Sequence, residues 1–186
     1  MIKQYFLQTL FIGATLIFTA CSSDKSEEAN SMIASNEYVL TTTSSKQYVV
    51  KKGENGFMID ELKGKVILFD IFATWCPPCQ ASASHLSSLQ EKFKDDLIVI
   101  GITIEDHITN AKLEDFKTTY KATYEIANSP ENRRLSDAIA NALELGNRFP
   151  IPLVAIYKDG KLINHYLGAT QEEFIESDIK TALGKE

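Results

Sequence analysis

Apolar and polar positions along this chain alternate with different periods, and each period predicts an element. Val66–Phe72 reads VILFDIF, a nearly unbroken apolar run of branched and aromatic residues, as expected of a strand buried on both faces. One acid, Asp70, interrupts it. After Cys79 the apolar residues Leu86, Leu89 and Phe93 recur at i, i+3 and i+7, the stripe of an amphipathic helix. Leu97–Ile104 is a second buried strand, so strand, helix and strand form a right-handed βαβ unit with parallel strands. Upstream, β-branched residues between Tyr38 and Val50 predict one or two further strands. Turn-forming residues from Gly53 to Gly64 then lead into the central strand.

Downstream, Leu113, Phe116 and Tyr120 place a helix within Thr109–Lys121, and Tyr124–Ala127 predicts a short strand. Ser129-Pro130 is positioned to cap a helix with the stripe Leu135, Ala138, Ile139, Ala142 and Leu143, ended by Gly146. Pro152–Lys158 is another apolar strand, and Asp159-Gly160 turns it into Leu162–Leu167 as an antiparallel hairpin. Thr170 and Glu173 have the spacing of a capping box at the start of a last helix, with Ile175, Ile179 and Leu183 inward. These stripes read as core. There is no internal repeat.

The N-terminus follows another pattern. A single cation, Lys3, precedes an apolar run from Tyr5 to Ala20, short for a membrane span and ending in small residues as an export signal does. Phe18-Thr-Ala-Cys21 resembles a bacterial lipoprotein processing box, with Phe18 where Leu is usual. The resemblance implies cleavage before Cys21 and acylation of its thiol; a plain secretory signal and an uncleaved anchor are the alternatives. The chain thus divides into a signal peptide (1–20), a flexible tether (21–36) and a folded domain (37–186). A coil of about 15 residues spans on the order of 20 Å, which keeps the domain beside a membrane.

Composition changes this picture little. Apolar residues make up 44% and charged residues 24% of the 186, ordinary values for a globular protein. A net charge of -6 argues against nucleic acid as a partner.

The candidate chemistry lies where the buried strand hands over to a helix, at Trp75-Cys76-Pro77-Pro78-Cys79. A cysteine at a helix start meets unpaired N–H groups and the positive end of the helix dipole, both favouring thiolate. Cys76 is therefore the expected nucleophile. Cys79, one turn further in, is the expected resolving thiol, more buried and spaced to attack a mixed disulfide on Cys76. Pro77 and Pro78 lack N–H groups where the first turn needs none. Half of a zinc site is the alternative, but His85, His107 and His165 are scattered and no second Cys pair exists. A purely structural disulfide and a Cu(I) carrier are the others.

The segment Asp70-Ile-Phe-Ala-Thr-Trp-Cys-Pro-Pro-Cys79 resembles the active-site segment of the thioredoxin superfamily. Ile151-Pro152-Leu-Val-Ala-Ile-Tyr-Lys-Asp-Gly160 resembles the family's cis-proline loop, strand and turn. With the lipoprotein signal and the extra elements between Glu105 and Phe149, the chain is similar to membrane-tethered TlpA/ResA-type thiol-disulfide oxidoreductases over roughly residues 38–184. The resemblance implies a thioredoxin-like α/β fold, a central mixed sheet flanked by helices, with an N-terminal strand extension and a helical insertion before the cis-Pro strand. It implies that Pro152 is the cis-proline facing the Cys pair, with Phe149–Pro150 trans, and that Ile151 offers backbone hydrogen bonds to a substrate chain. Trp75, Pro77 and Pro78 would line the substrate surface. Asp70 matches the buried acid beneath the resolving Cys, where lipoprotein-type relatives often have Asn. Its pKa should rise by desolvation, fitting it to accept the Cys79 proton; an acid that reaches solvent at a strand bend is the alternative. The accompanying thioredoxin Lys is replaced by Gly101. The segment Gln80–His85 lacks the acidic residue and proline common in ResA-type chains, which departs from a specific cytochrome c maturation role.

The expected function is that of a tethered oxidoreductase, more a reductant than an oxidant or isomerase, acting on exported proteins or apocytochromes. No cofactor is implied beyond the redox-active Cys76–Cys79 disulfide, and no metal. The partners implied are protein thiols and disulfides, a membrane electron donor or acceptor, and a membrane through lipidated Cys21, inner or outer. The protein is expected to act as a monomer.

Overall fold

A computed structural model describes residues 36–185 except Asn147. The signal peptide, Cys21 and nearly all of the tether lie outside the described residues.

The run that reads as a central strand is one. β4 (Val66–Phe72) is buried at every position. It sits in the middle of a five-stranded sheet of order β6-β5-β4-β7-β8. β5 (Leu97–Thr103) runs parallel on one side and β7 (Leu153–Lys158) antiparallel on the other. β6 (Glu125–Ala127) extends the parallel edge, and β8 (Lys161–Leu167) closes the opposite edge as the hairpin partner of β7. Asp159 and Gly160 both take positive φ at that hairpin turn, 49° and 79°, the conformation a two-residue turn needs to match strand twist.

Alternation along β4 sorts its side chains into two cores. Val66, Leu68 and Phe72 pack with α1 (Pro77–Lys92), α2 (Asn110–Tyr120) and α4 (Glu172–Leu183), through Leu86, Leu89, Phe116, Ile175 and Ile179 among others. Ile67, Phe69 and Ile71 face the other way, onto Leu135, Ile139 and Ala140 of α3 (Asn132–Ala142) and onto an N-terminal sheet. That sheet is antiparallel and three-stranded: β1 (Glu37–Thr41), β2 (Gln47–Lys52) and β3 (Phe57–Met58). It is tied to β6 by a Thr42–Ala127 bridge and by Thr43 N–H donating to the Ile126 carbonyl at 2.9 Å. The upstream strands therefore supply a lid for one face of the main sheet and do not join it.

Three helix ends differ from the sequence expectation. Gln171, not Thr170, precedes α4, and no side chain caps it. Thr170 lies one residue too early to reach the first-turn N–H groups, which meet Glu172 and Glu173 electrostatically. Ser129 caps a turn ahead of α3, accepting from Glu131 N–H at 3.3 Å, while its own hydroxyl donates to the Val39 carbonyl at 2.8 Å. The same helix ends at Ala142, before Gly146, with Glu144 in the left-handed region at φ 58°.

Candidate active site

β4 delivers the chain to α1 across Ala73-Thr74-Trp75, and this loop is held at both ends of Thr74. The Glu105 carboxylate, just beyond β5, accepts from Thr74 N–H at 2.6 Å and from its hydroxyl at 3.0 Å. Gln80 in the first turns of α1 donates to the Thr74 carbonyl at 2.7 Å. Charge-assisted bonds of this kind are about twice as strong as neutral ones, so the residues leading to Cys76 have little freedom. Trp75 projects outward, 64% exposed.

Cys76 is the N-cap of α1 and Pro77 and Pro78 are its first two residues. Its Sγ accepts from the Cys79 N–H at 3.3 Å, which is the helix-terminus environment that stabilises negative charge on sulfur. Cys76 and Cys79 form a disulfide, with Cα atoms 5.3 Å apart. In this oxidised form both are buried, Cys76 at 3% and Cys79 at 1% exposure. Pro77 is exposed and Pro78 half-buried, on the same rim as Trp75.

Ile151–Pro152 is cis, the one such bond among the described residues, and Phe149–Pro150 is not. It immediately precedes β7, whose antiparallel register on β4 brings it to the Cys pair: the Ile151 carbonyl oxygen lies 3.8 Å from Cys76 Sγ. Pro152 is buried, and its carbonyl accepts from Gly168 N–H at 2.8 Å, which fastens the loop to β8.

Asp70 does not reach solvent; it is 1% exposed. By strand alternation it shares its face with Leu68 and Phe72, whose core also holds Cys76 and Cys79. Burial pushes its carboxyl up to about 7, opposed in part by the Tyr124 hydroxyl, which donates to Oδ2 at 2.9 Å. Oδ1 has no hydrogen-bond partner among the described residues. Tyr124 is itself raised well above the usual phenol range, first by burial and then by the neighbouring carboxylate.

Sequence reasoning missed Tyr124, Glu105 and Gln80. From the sequence, Tyr124 has only a place at the start of a short strand and Glu105 has no role. Neither carries a local signal, because each meets its partner across the sheet. His85 is exposed on α1 and takes no part. Among the described residues, no three His, Cys, Asp or Glu side chains assemble as metal ligands. No described helix is long and apolar enough to cross a membrane.

Residues 41–183 match the Redoxin family. Thiol-disulfide oxidoreductase ResA of Bacillus anthracis is 25% identical over 144 residues, 77% of this chain and 73% of that protein. Thioredoxin-like protein YneN of Bacillus subtilis is 30% identical over 69 residues, 37% of this chain and 41% of that one. Among solved structures, a thioredoxin family thiol:disulfide interchange protein from Chlorobium tepidum TLS superposes with a TM-score of 0.62 at 20% identity, covering 80% of this chain and 94% of that one. StoA from Bacillus subtilis gives 0.54 at 15% identity, over 76% of this chain and 95% of that one. These likenesses establish the thioredoxin-like fold.

Proposed function

The chain belongs to the Redoxin family, as a ResA-like thiol-disulfide oxidoreductase of the thioredoxin superfamily, and from that premise we propose that it is an extracytoplasmic, membrane-tethered reductant of protein disulfides. The observation that carries this reading is the placement of one Cys pair at a helix N-terminus and against a cis-proline loop, at the end of a strand that carries a buried acid.

In the proposed cycle the reduced protein presents Cys76 as thiolate, stabilised by the Cys79 N–H and the α1 dipole. Cys76 attacks a substrate disulfide and forms a mixed disulfide, releasing the first substrate sulfur as thiolate. The substrate chain lies against Trp75, Pro77 and Pro78 and hydrogen-bonds the Ile151 backbone. Cys79 then attacks Cys76 Sγ, its proton passing to Asp70, and the second substrate sulfur leaves. Two electrons have moved from the Cys pair to the substrate. A membrane dithiol donor returns the pair to its reduced form. An acceptor poised near neutrality suits this proton transfer, and the buried acid favours the reducing direction. Lipidated Cys21 supplies the tether, and the proposed substrates are exported proteins, apocytochrome c included.

Four measurements test this. The protein should accelerate dithiothreitol-driven reduction of insulin, and Cys79→Ser should trap mixed disulfides on Cys76; full activity in Cys76→Ser would sink the assignment. A reductant's potential lies toward about −270 mV and a strong oxidant's near about −120 mV, so redox titration decides the direction. Radiolabelled palmitate should enter the wild-type chain and not Cys21→Ser.

A further inference from the structure

We propose that Tyr124 is the positioning residue of the proton acceptor: its hydroxyl holds Asp70 Oδ2 and reserves Oδ1 for the proton that leaves Cys79. The inference rests on the reading of Asp70 as that acceptor, and it assigns to a neutral phenol the place that the thioredoxin resemblance gives to a lysine.

The geometry depends on a glycine. Asp70 of β4 is paired in register with Gly101 of β5, and Gly101 in turn with Ile126 of β6. A Cβ at 101 would lie 3.1 Å from the Tyr124 ring and from Ile126, and 3.2 Å from Phe72. Because that side chain is absent, the Tyr124 ring leans over β5 and reaches Asp70 two strands away. Its base is fixed as well: Ser87 Oγ on α1 bonds the Lys121 carbonyl at 2.8 Å and accepts from Thr123 N–H at 2.9 Å, directly before Tyr124.

The chemistry follows from one proton. A phenol has a single donor, and here it goes to Oδ2 at 2.9 Å. Oδ1 is buried without a partner among the described residues, a condition folded proteins rarely leave unexplained. From β5 and β7 the register neighbours of Asp70 are Gly101 and Val154, which do not ionise. Elsewhere around this core the ionisable groups are, in the reduced form, Cys76 at the N-cap of α1 and Cys79 within it, then Tyr120 of α2, and Tyr166 of β8 with its acceptor Asp178 of α4; none of them hydrogen-bonds Asp70. In the resolving step the Cys79–Cys76 S–S bond forms and the Cys76–substrate S–S bond breaks. The substrate sulfur takes the electron pair, and the Cys79 proton goes to Asp70 Oδ1. A neutral donor stabilises the carboxylate less than a cation would, which keeps the carboxyl basic enough to take that proton.

The test uses the reduced full-length chain, with Cys21 replaced by Ser in every protein so that the Cys76–Cys79 pair alone reports, and 5,5′-dithiobis(2-nitrobenzoate) in stopped flow. Cys76 releases one coloured thiolate and Cys79 then releases the second; the rate of the second phase is followed against pH. Tyr124→Phe removes a hydrogen bond to the charged carboxylate and should move the midpoint of that profile upward by about one unit or more. Below both midpoints the second phase should slow by about tenfold. In an Asp70→Asn background, Tyr124→Phe should have no further effect on the second phase. A folded Tyr124→Phe protein with an unmoved midpoint overturns the proposal. A wild-type second phase that is absent, or indifferent to Asp70→Asn, refutes instead the acceptor reading beneath it. If Tyr124→Phe does not fold, the wild type carrying ζ-13C-tyrosine serves. The Tyr124 resonance should titrate with the kinetic midpoint and lose that titration in Asp70→Asn, and a Tyr124 signal flat across that range overturns the proposal.

Discussion

Replacing Asp70 by Asn should make the protein more stable at neutral and alkaline pH, and the gain should vanish in acid. In the folded chain, burial raises this carboxyl from 3.8 to about 7. Between those two values the native state holds a proton that the unfolded state releases, so stability falls as pH rises through the window and levels off above about 7. At 1.36 kcal/mol per unit, the full penalty is on the order of 4 kcal/mol. Asn cannot ionise and its Oδ1 still accepts from Tyr124, so the pH-dependent part of the cost disappears. The assay is urea unfolding of the oxidised wild type and Asp70→Asn proteins at several pH values from 4 to 8. The wild-type unfolding free energy should drop across that range relative to the variant by about 2–4 kcal/mol, most of it between pH 5 and 7. Parallel pH profiles for the two proteins would refute the reasoning, since a buried carboxyl without a raised folded pKa leaves nothing for Asn to relieve.

Other substitutions probe the supports of the site. Gly101→Ala drives a methyl against Tyr124, Ile126 and Phe72 and should cost about 1–3 kcal/mol in denaturant unfolding. Glu105→Ala removes both acceptors from Thr74. A loss of about 1–3 kcal/mol is expected, with faster amide exchange at Thr74 and altered fluorescence of Trp75, the chain's single tryptophan. Buried Asn132 donates to the Thr103 and Ala127 carbonyls at 3.2 and 2.8 Å, joining α3 to the ends of β5 and β6. Its replacement by Ala should lower the melting temperature while leaving the potential of the Cys pair unchanged.

The local patterns were legible wherever one element carried its own period. Seven consecutive buried positions mark β4 in sequence as clearly as in space, and a C-x-x-C after such a run places two sulfurs at a helix N-terminus. Helix ends were less legible. Thr170 and Ser129 have capping chemistry but sit one or two residues from where the backbone turns helical, a choice made by how the preceding loop is anchored. The N-terminal strands were visible as strands, yet nothing in their alternation says that they form a sheet of their own over β4.

By itself, then, the sequence determined the central strand, the Cys pair at its end and an acid interrupting it, because apolar runs and helix-start chemistry are properties of neighbouring residues. The tertiary structure alone decided what surrounds that acid. Asp70 and Tyr124 are 54 residues apart, and Thr74 and Glu105 are 31 apart. They meet because strands β4, β5 and β6 lie side by side in one register, with a glycine at the position where the tyrosine must cross. Strand order and register are fixed by the packing of whole faces, and no spacing along the chain records them.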